Sequence, residues 1–151
     1  MIVRPATPAD LDIVRRLWQE FEREIPDPVG EPARWEDVRA DAKAAVAAGA
    51  VLLSLEDEIP SGFAWVTGPV RGVARMEYVY VRPEARERGA AKQLLSAAAD
   101  GLAERGATDL VLEVVATNEV ARSVWERLGF RLIEHRLAAP VAELRSRLGS
   151  G

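Results

Sequence analysis

The sequence predicts a single α/β domain in which helices cover a layered, mixed sheet. Three observations carry that reading. Apolar residues recur at helical spacing in the first third of the chain, then switch to a period of two, and afterwards strand-like and helix-like segments alternate. Glycine and proline punctuate the changes. A chain of 151 residues, 48% hydrophobic and 29% charged, has the size and composition of one globular domain.

Taken in order, Ile2 to Ala6 is short and β-like. Thr7 caps a helix with Pro8 in its first position and Asp10 in its first turn. Leu11, Val14, Trp18 and Phe21, joined by Ile13 and Leu17, give that helix a wide apolar face, and it stops before Pro26. Ile25 to Pro32 is a proline-rich loop. A second helix is expected from Ala33 to Ala48, with Trp35, Val38, Ala42 and Val46 inward and Gly49 at its end. Val51 to Leu55 and Gly62 to Thr67 read as strands joined through the polar turn Glu56-Asp57-Glu58, and Gly68 to Gly72 as the next turn.

Arg75 to Val81 reads as the central strand, Val79 and Val81 facing one side, Tyr78 and Tyr80 the other. Pro83 ends it, and Gly89 opens a helix running to about Arg105 with Ala91, Leu94, Leu95, Ala98 and Leu102 inward. Leu110 to Val115 is nearly all apolar, as in a strand buried on both faces. Residues 118 to 128 read as a helix, Phe130 to Leu137 as a strand, and Val141, Leu144 and Leu148 as a short amphipathic helix.

Composition excludes several classes. Acidic residues outnumber basic ones, 24 to 20, for a net charge of -4, the wrong balance for a general nucleic-acid binder. There is no cysteine, hence no disulfide, thiolate nucleophile or Cys-based metal site, and one histidine, His135, excludes a histidine cluster. No apolar run approaches membrane-spanning length and no signal peptide is evident, so a cytoplasmic protein is expected, with no metal and no membrane partner.

The junction of strand, glycine and helix is the chemically suggestive stretch. A helix start leaves N–H groups unpaired and carries partial positive charge, and glycine lets a phosphate approach the backbone. Arg86, Arg88 and Lys92 add full charges there. These features suit a diphosphate, although an ordinary connection with solvated charges has the same composition. No P-loop or Rossmann pattern occurs.

Arg86-x-x-Gly89-x-Ala91, following a V-x-V strand that ends in Arg82-Pro83, resembles the acyl-CoA signature R/Q-x-x-G-x-G/A of the GCN5-related N-acetyltransferases (GNAT). Asn118-x-x-Ala121-x-x-x-Trp125-x-x-x-Gly129-Phe130 resembles that family's second signature. The element order also resembles the family's from the IVRPATPAD opening through GFRLIE. The resemblance implies a single acyl-CoA N-acyltransferase domain over residues 1–151, with a mixed, mostly antiparallel central sheet. The implied activity is direct transfer of the acetyl group of acetyl-CoA to an amine of a small molecule or peptide. Beyond Leu137 the chain departs from the family pattern, which commonly closes with one more strand.

The resemblance also implies roles for residues. Main-chain groups of Val79, Tyr80 and Val81 would pair with the pantetheine arm, the Val79 N–H polarising the thioester carbonyl. The pyrophosphate would lie over Arg86, Glu87, Arg88, Gly89, Ala90, Ala91 and Lys92. Asn118 would contact the pantetheine arm and Arg122 the ribose phosphate. By strand period Glu77 shares a face with Val79 and Val81 and is one candidate base for the amine; its alternative role is an ion pair with Arg75. Glu113, set in an apolar strand, is the second candidate and would need a partner or a raised pKa. Glu20 and Glu24 could reach an acceptor pocket or be solvated. Trp125 stands where the family usually has a tyrosine that protonates the leaving thiolate; indole has no such acidity, so Trp125 would pack on the cofactor's sulfur end or fill core, packing being the expected role. Tyr80, Ser123 or water could supply that proton. The alternatives are an acyl-CoA-binding module without turnover and an unrelated nucleotide-binding domain. A homodimer through the segment from Leu137 is a family expectation.

Overall fold

Five strands build one sheet in the order β1-β2-β3-β4-β5: β1 (Ile2–Pro5), β2 (Val51–Glu56), β3 (Ile59–Val70), β4 (Val73–Val81) and β5 (Asp109–Val111). The first four pair antiparallel and β5 joins β4 in parallel, so the mixed, mostly antiparallel sheet expected from the sequence is present. In this computed structural model residues 1–149 are described, and they divide into two compact units. The first is Met1–Asp27 with Glu31–Glu113; the second is Pro28–Gly30 with Val114–Gly151.

In the first unit α1 (Leu11–Glu24) and α2 (Trp35–Ala47) lie on one face of the sheet and α3 (Ala90–Glu104) on the other. Alternation in the strands divides the core accordingly. Val14, Leu17, Trp18, Trp35 and Val46 pack with Leu53, Phe63, Trp65 and Tyr80. Ala90, Leu94, Ala98 and Leu102 pack with Ala64, Val66, Ala74, Met76 and Val81. The first cluster is rich in rings: Tyr78 meets Trp65 at 5.2 Å and Phe21 at 5.4 Å between centroids. The buried stripe on α3 is Ala90, Leu94, Ala98 and Leu102, while Ala91, expected inward, is exposed and Leu95 half-buried. The stripe runs in steps of four, which places Ala90 rather than Ala91 in line with Leu94.

One irregularity positions everything that follows. Trp65 pairs with Tyr78 but Val66 pairs with Met76, so Glu77 is an extra residue on β4, a β-bulge. A bulge breaks the period of two. Ala74 and Met76 point to the α3 face, as do Val79 and Val81, while Tyr78 and Tyr80 join the α1/α2 cluster. The expectation that Glu77 shares a face with Val79 and Val81 is therefore wrong: its carboxylate lies with Tyr78 and α2 residues on the other face.

The β4–β5 ladder also ends at the bulge. It spans only Val73↔Asp109, Ala74↔Leu110 and Arg75↔Val111. The buried strand expected over Leu110 to Val115 is thus three residues long, and its residues range from half-buried to exposed. A bulge bends and twists its strand, which carries β4 out of register with a parallel neighbour.

The second unit holds α4 (Glu119–Arg127) and α5 (Val141–Gly149). The expected C-terminal helix is present. The strand expected over Phe130 to Leu137 is not: the segment is irregular, with Leu132, Ile133 and Leu137 exposed. Alternating apolar residues alone do not make a strand, because its hydrogen bonds belong to a partner, and no described strand pairs here.

Candidate active site

Beyond Arg75 the outer edge of β4 has no partner strand among the described residues. Which of its groups face that edge follows from the ladder. The Arg82 N–H donates to the Ser61 carbonyl at 2.8 Å, so Arg82 turns its main chain toward β3. Main-chain groups alternate between edges, so Tyr80 and Tyr78, paired with Phe63 and Trp65, also face β3. Val79 and Val81 face the open edge. The Val81 carbonyl is taken there by Arg86 Nε at 3.0 Å. Of the expected edge, Tyr80 turns its main chain to β3 and buries its side chain, and Val81 keeps its N–H open while its carbonyl is occupied.

The open edge leads into the turn. Pro83–Ala85 forms a single 3-10 turn, Glu87 and Gly89 adopt φ of 66° and 86°, and α3 begins at Ala90. Glycine suits this left-handed position, and a Cβ built at Gly89 would meet nothing within 4 Å. No side chain caps α3. The first-turn amides of Ala90, Ala91 and Lys92 are accordingly open to an anion. The flanking arginines are less available than their charges suggest. Arg86 turns back to Val81 and Glu24 (2.6 Å), and the Glu24 carboxylate raises the Arg86 pKa. Arg88 makes an exposed 3.4 Å pair with Glu56. Arg82 is held by Glu20 at 2.9 Å, so Glu20 and Glu24, one turn apart on α1, tie down the turn rather than being merely solvated.

Glu77 sits at the start of the open stretch. Its Oε1 accepts from the Thr67 hydroxyl at 2.9 Å and lies 3.4 Å from Arg75 Nε. The other side of the Arg75 guanidinium bonds Glu113 Oε1, and that carboxylate pushes Arg75 above the usual arginine value. Glu113 lies just past β5 rather than inside an apolar strand, so the partner its burial was expected to require is present while the burial is not: its side chain is 60% exposed. Both candidate bases thus meet at one arginine.

Glu77 also borders a cleft of about 540 Å³ on the α1/α2 face of the sheet, with Asp41, Trp65, Thr67 and Tyr78 in its lining. Burial raises the Tyr78 hydroxyl above the usual tyrosine value, and burial with Glu24 and Glu20 does the same for Tyr80, so both stay protonated and neutral near pH 7. The expectations named neither Thr67 nor Asp41. Thr67 is ten residues from Glu77, and only the hairpin register brings them together.

In the second unit Asn118 caps α4, its Oδ1 accepting from the Ala121 N–H at 3.2 Å. Arg122 pairs with Glu126 at 2.9 Å, and half-buried Trp125 meets the Phe130 ring edge-on at 5.6 Å, the packing role expected of it. Among all described residues no group of three or more His, Cys, Asp or Glu could hold a metal, and no helix is long and apolar enough to cross a membrane.

The profile of the acetyltransferase (GNAT) family matches residues 12–130. No curated protein matches the sequence significantly. Among solved structures, the aminoglycoside N-acetyltransferase AAC(6')-Iy in complex with CoA superposes with a TM-score of 0.73 at 23% identity, over 92% of this chain and 93% of that one. The aminoglycoside 6'-N-acetyltransferase AAC(6')-IG from Acinetobacter haemolyticus gives 0.72 at 19%, over 93% and 97%. An N-acetyltransferase from Staphylococcus aureus Mu50 gives 0.72 at 19%, over 86% and 82%. At these identities the likeness is one of fold.

Proposed function

Because the chain belongs to the acetyltransferase (GNAT) family, we propose that it transfers the acetyl group of acetyl-CoA directly to a cationic amine, with Glu77 accepting the amine proton. The observation that carries this is the early end of the β4–β5 ladder, which leaves the Val79 and Val81 edge open beside the uncapped α3 N-terminus. A pantetheine arm adds to such an edge as a strand would, and a pyrophosphate suits amides clustered around a glycine with free space above it. In this reading Val79 and Val81 pair with the arm. Glu87, Gly89, Ala90, Ala91 and Lys92 hold phosphate through main-chain groups, and Arg86 and Arg88 brace the turn.

Chemically, Glu77 takes one proton from the ammonium form of the acceptor, directly or through water. The freed nitrogen bonds the acetyl carbon, the carbon–sulfur bond breaks, and the Val79 N–H stabilises the charge that gathers on the carbonyl oxygen. The thiol leaves as thiolate, tolerable for a group of pKa about 8.5; the second nitrogen proton, shed as the amide forms, reaches it through water, and Glu77 returns its own proton to solvent. Asn118, Arg122 and Trp125 are assigned to the cofactor by the family's second signature. The cleft supports a positively charged acceptor: the Asp41 and Glu77 carboxylates outnumber the one cation in its lining, Arg105, and Trp65 and Tyr78 offer ring faces. Aminoglycosides, the acceptors named for two of the similar structures, therefore open the panel, followed by polyamines and peptides.

A thiol-release assay over that panel tests the proposal. Glu77→Gln is expected to lower kcat by about a hundredfold or more while acetyl-CoA still binds. A fully active Glu77→Gln excludes this base, and loss in Glu113→Gln alone assigns the role to Glu113. Trp125 in place of tyrosine favours a second reading, a CoA-binding protein without turnover, which is the outcome if acetyl-CoA binds and no amine releases thiol. A second copy of the chain is the proposed partner of the C-terminal segment, supported by the exposure of Leu132, Ile133, Leu137 and Leu148. Sedimentation at micromolar protein is expected to show a dimer, and a monomer at every concentration rejects it.

A further inference from the structure

The surroundings of Glu77 say more than that it is a carboxylate at a cleft. Oε1 carries both of its protein contacts, the Thr67 hydroxyl at 2.9 Å and Arg75 Nε at 3.4 Å. Oε2 has no protein partner among the described residues, and the side chain is one-third exposed, toward the cleft. A carboxylate gripped by one oxygen has a fixed aim. The Arg75 charge is shared with Glu113, bonded to the same guanidinium.

We propose that Thr67 and Arg75 are positioning residues that anchor Glu77 through Oε1 and present Oε2 to the acceptor, with Glu113 neutralising the Arg75 charge. This rests on Glu77 being the proton acceptor. It gives the two carboxylates different work: one moves a proton, and the other balances the anchor's charge. The bulge makes the arrangement possible, because it puts Arg75 and Glu77 on the face where Thr67 and Glu113 reach them. The remaining charged or titratable groups around the cleft are Asp41 from α2, the Tyr78 hydroxyl beside Glu77, and Arg105 at the end of α3.

The test combines a substrate-free readout with kinetics. In protein labelled with 13C at the glutamate side chains, the Glu77 signal is identified by its loss in Glu77→Gln and its relaxation is followed without substrate. Thr67→Val and Arg75→Gln are expected to loosen the Glu77 side chain, and Thr67→Ser, which keeps the hydroxyl, to leave it as tight as the original. With neamine as acceptor probe, Thr67→Val is expected to lower kcat about tenfold at an acetyl-CoA KM within about twofold of the original, and Thr67→Ser to restore it. Glu113→Gln is expected to lower kcat about tenfold with the Glu77 side chain still tight. Unchanged relaxation in Thr67→Val overturns the anchor even where Glu77→Gln is inactive, and full kcat in Glu113→Gln overturns the neutralising role. Full activity in Glu77→Gln overturns the premise and the inference together. The relaxation readout decides the anchor even if neamine is not acetylated.

Discussion

At Asp10 one carboxylate organises the entry to the first helix. It accepts from the Arg4 guanidinium at 2.7 and 3.1 Å, from the Thr7 amide at 2.8 Å and from the Thr7 hydroxyl at 3.1 Å, and it is 6% exposed. The Arg4 hydrogen bonds and those from Thr7 outweigh desolvation and hold Asp10 well below the usual carboxylate range. A depressed folded value means that the stabilisation is complete above the unfolded value near 4 and is lost as pH falls through the lower folded one. Asp10→Asn is therefore expected to cost about 1–3 kcal/mol at pH 7, and urea melts should show the gap from wild type narrowing below about pH 4. A gap that widens on acidification would contradict this. A helix start was legible here in Thr7, Pro8 and Asp10 because capping chemistry is local. Glu77 was legible as a strand carboxylate, but its face was not: a bulge depends on what the partner strand does. Thr67 left no signal at all, since a lone threonine says nothing until register places it opposite an acid.

At the scale of elements, α1, β4 and α3 act together on the turn between the last two. Glu20 and Glu24 reach from α1 to Arg82 and Arg86, and Arg86 returns to the Val81 carbonyl, so the loop carrying Gly89 is tied at both flanks. In the proposed reading, such tethering lets an incoming phosphate meet amides already in place, at little ordering cost. Gly89→Val is expected to cost about 1–2 kcal/mol of stability, because a β-branched residue is strained at φ 86°. The protein should still fold, since no neighbour lies within 4 Å of the added carbon, and a thermal melt checks both points. The turn and both of its flanking elements were readable from Pro83, Gly89 and the spacing of Leu94, Ala98 and Leu102. The face of α3 was read one residue off at Ala91, because spacings of three and four both fit one helical face and the packing here takes four. The length of β5 was unreadable, for its ladder stops where β4 bulges.

At the scale of the molecule, a net negative chain presents, in the proposed function, a locally open, amide-lined edge to a polyanionic cofactor, and a cleft with two carboxylates and one arginine to a cationic acceptor. The two recognitions use different physics, main-chain dipoles for one and full charges for the other, so neither requires a basic protein. The most direct measurement is calorimetric titration of acetyl-CoA into the wild-type protein and Gly89→Val. The account predicts saturable heat with a dissociation constant on the order of micromolar, and binding at least about tenfold weaker in the folded variant. No heat from wild type, or equal affinity in the two proteins, would contradict it.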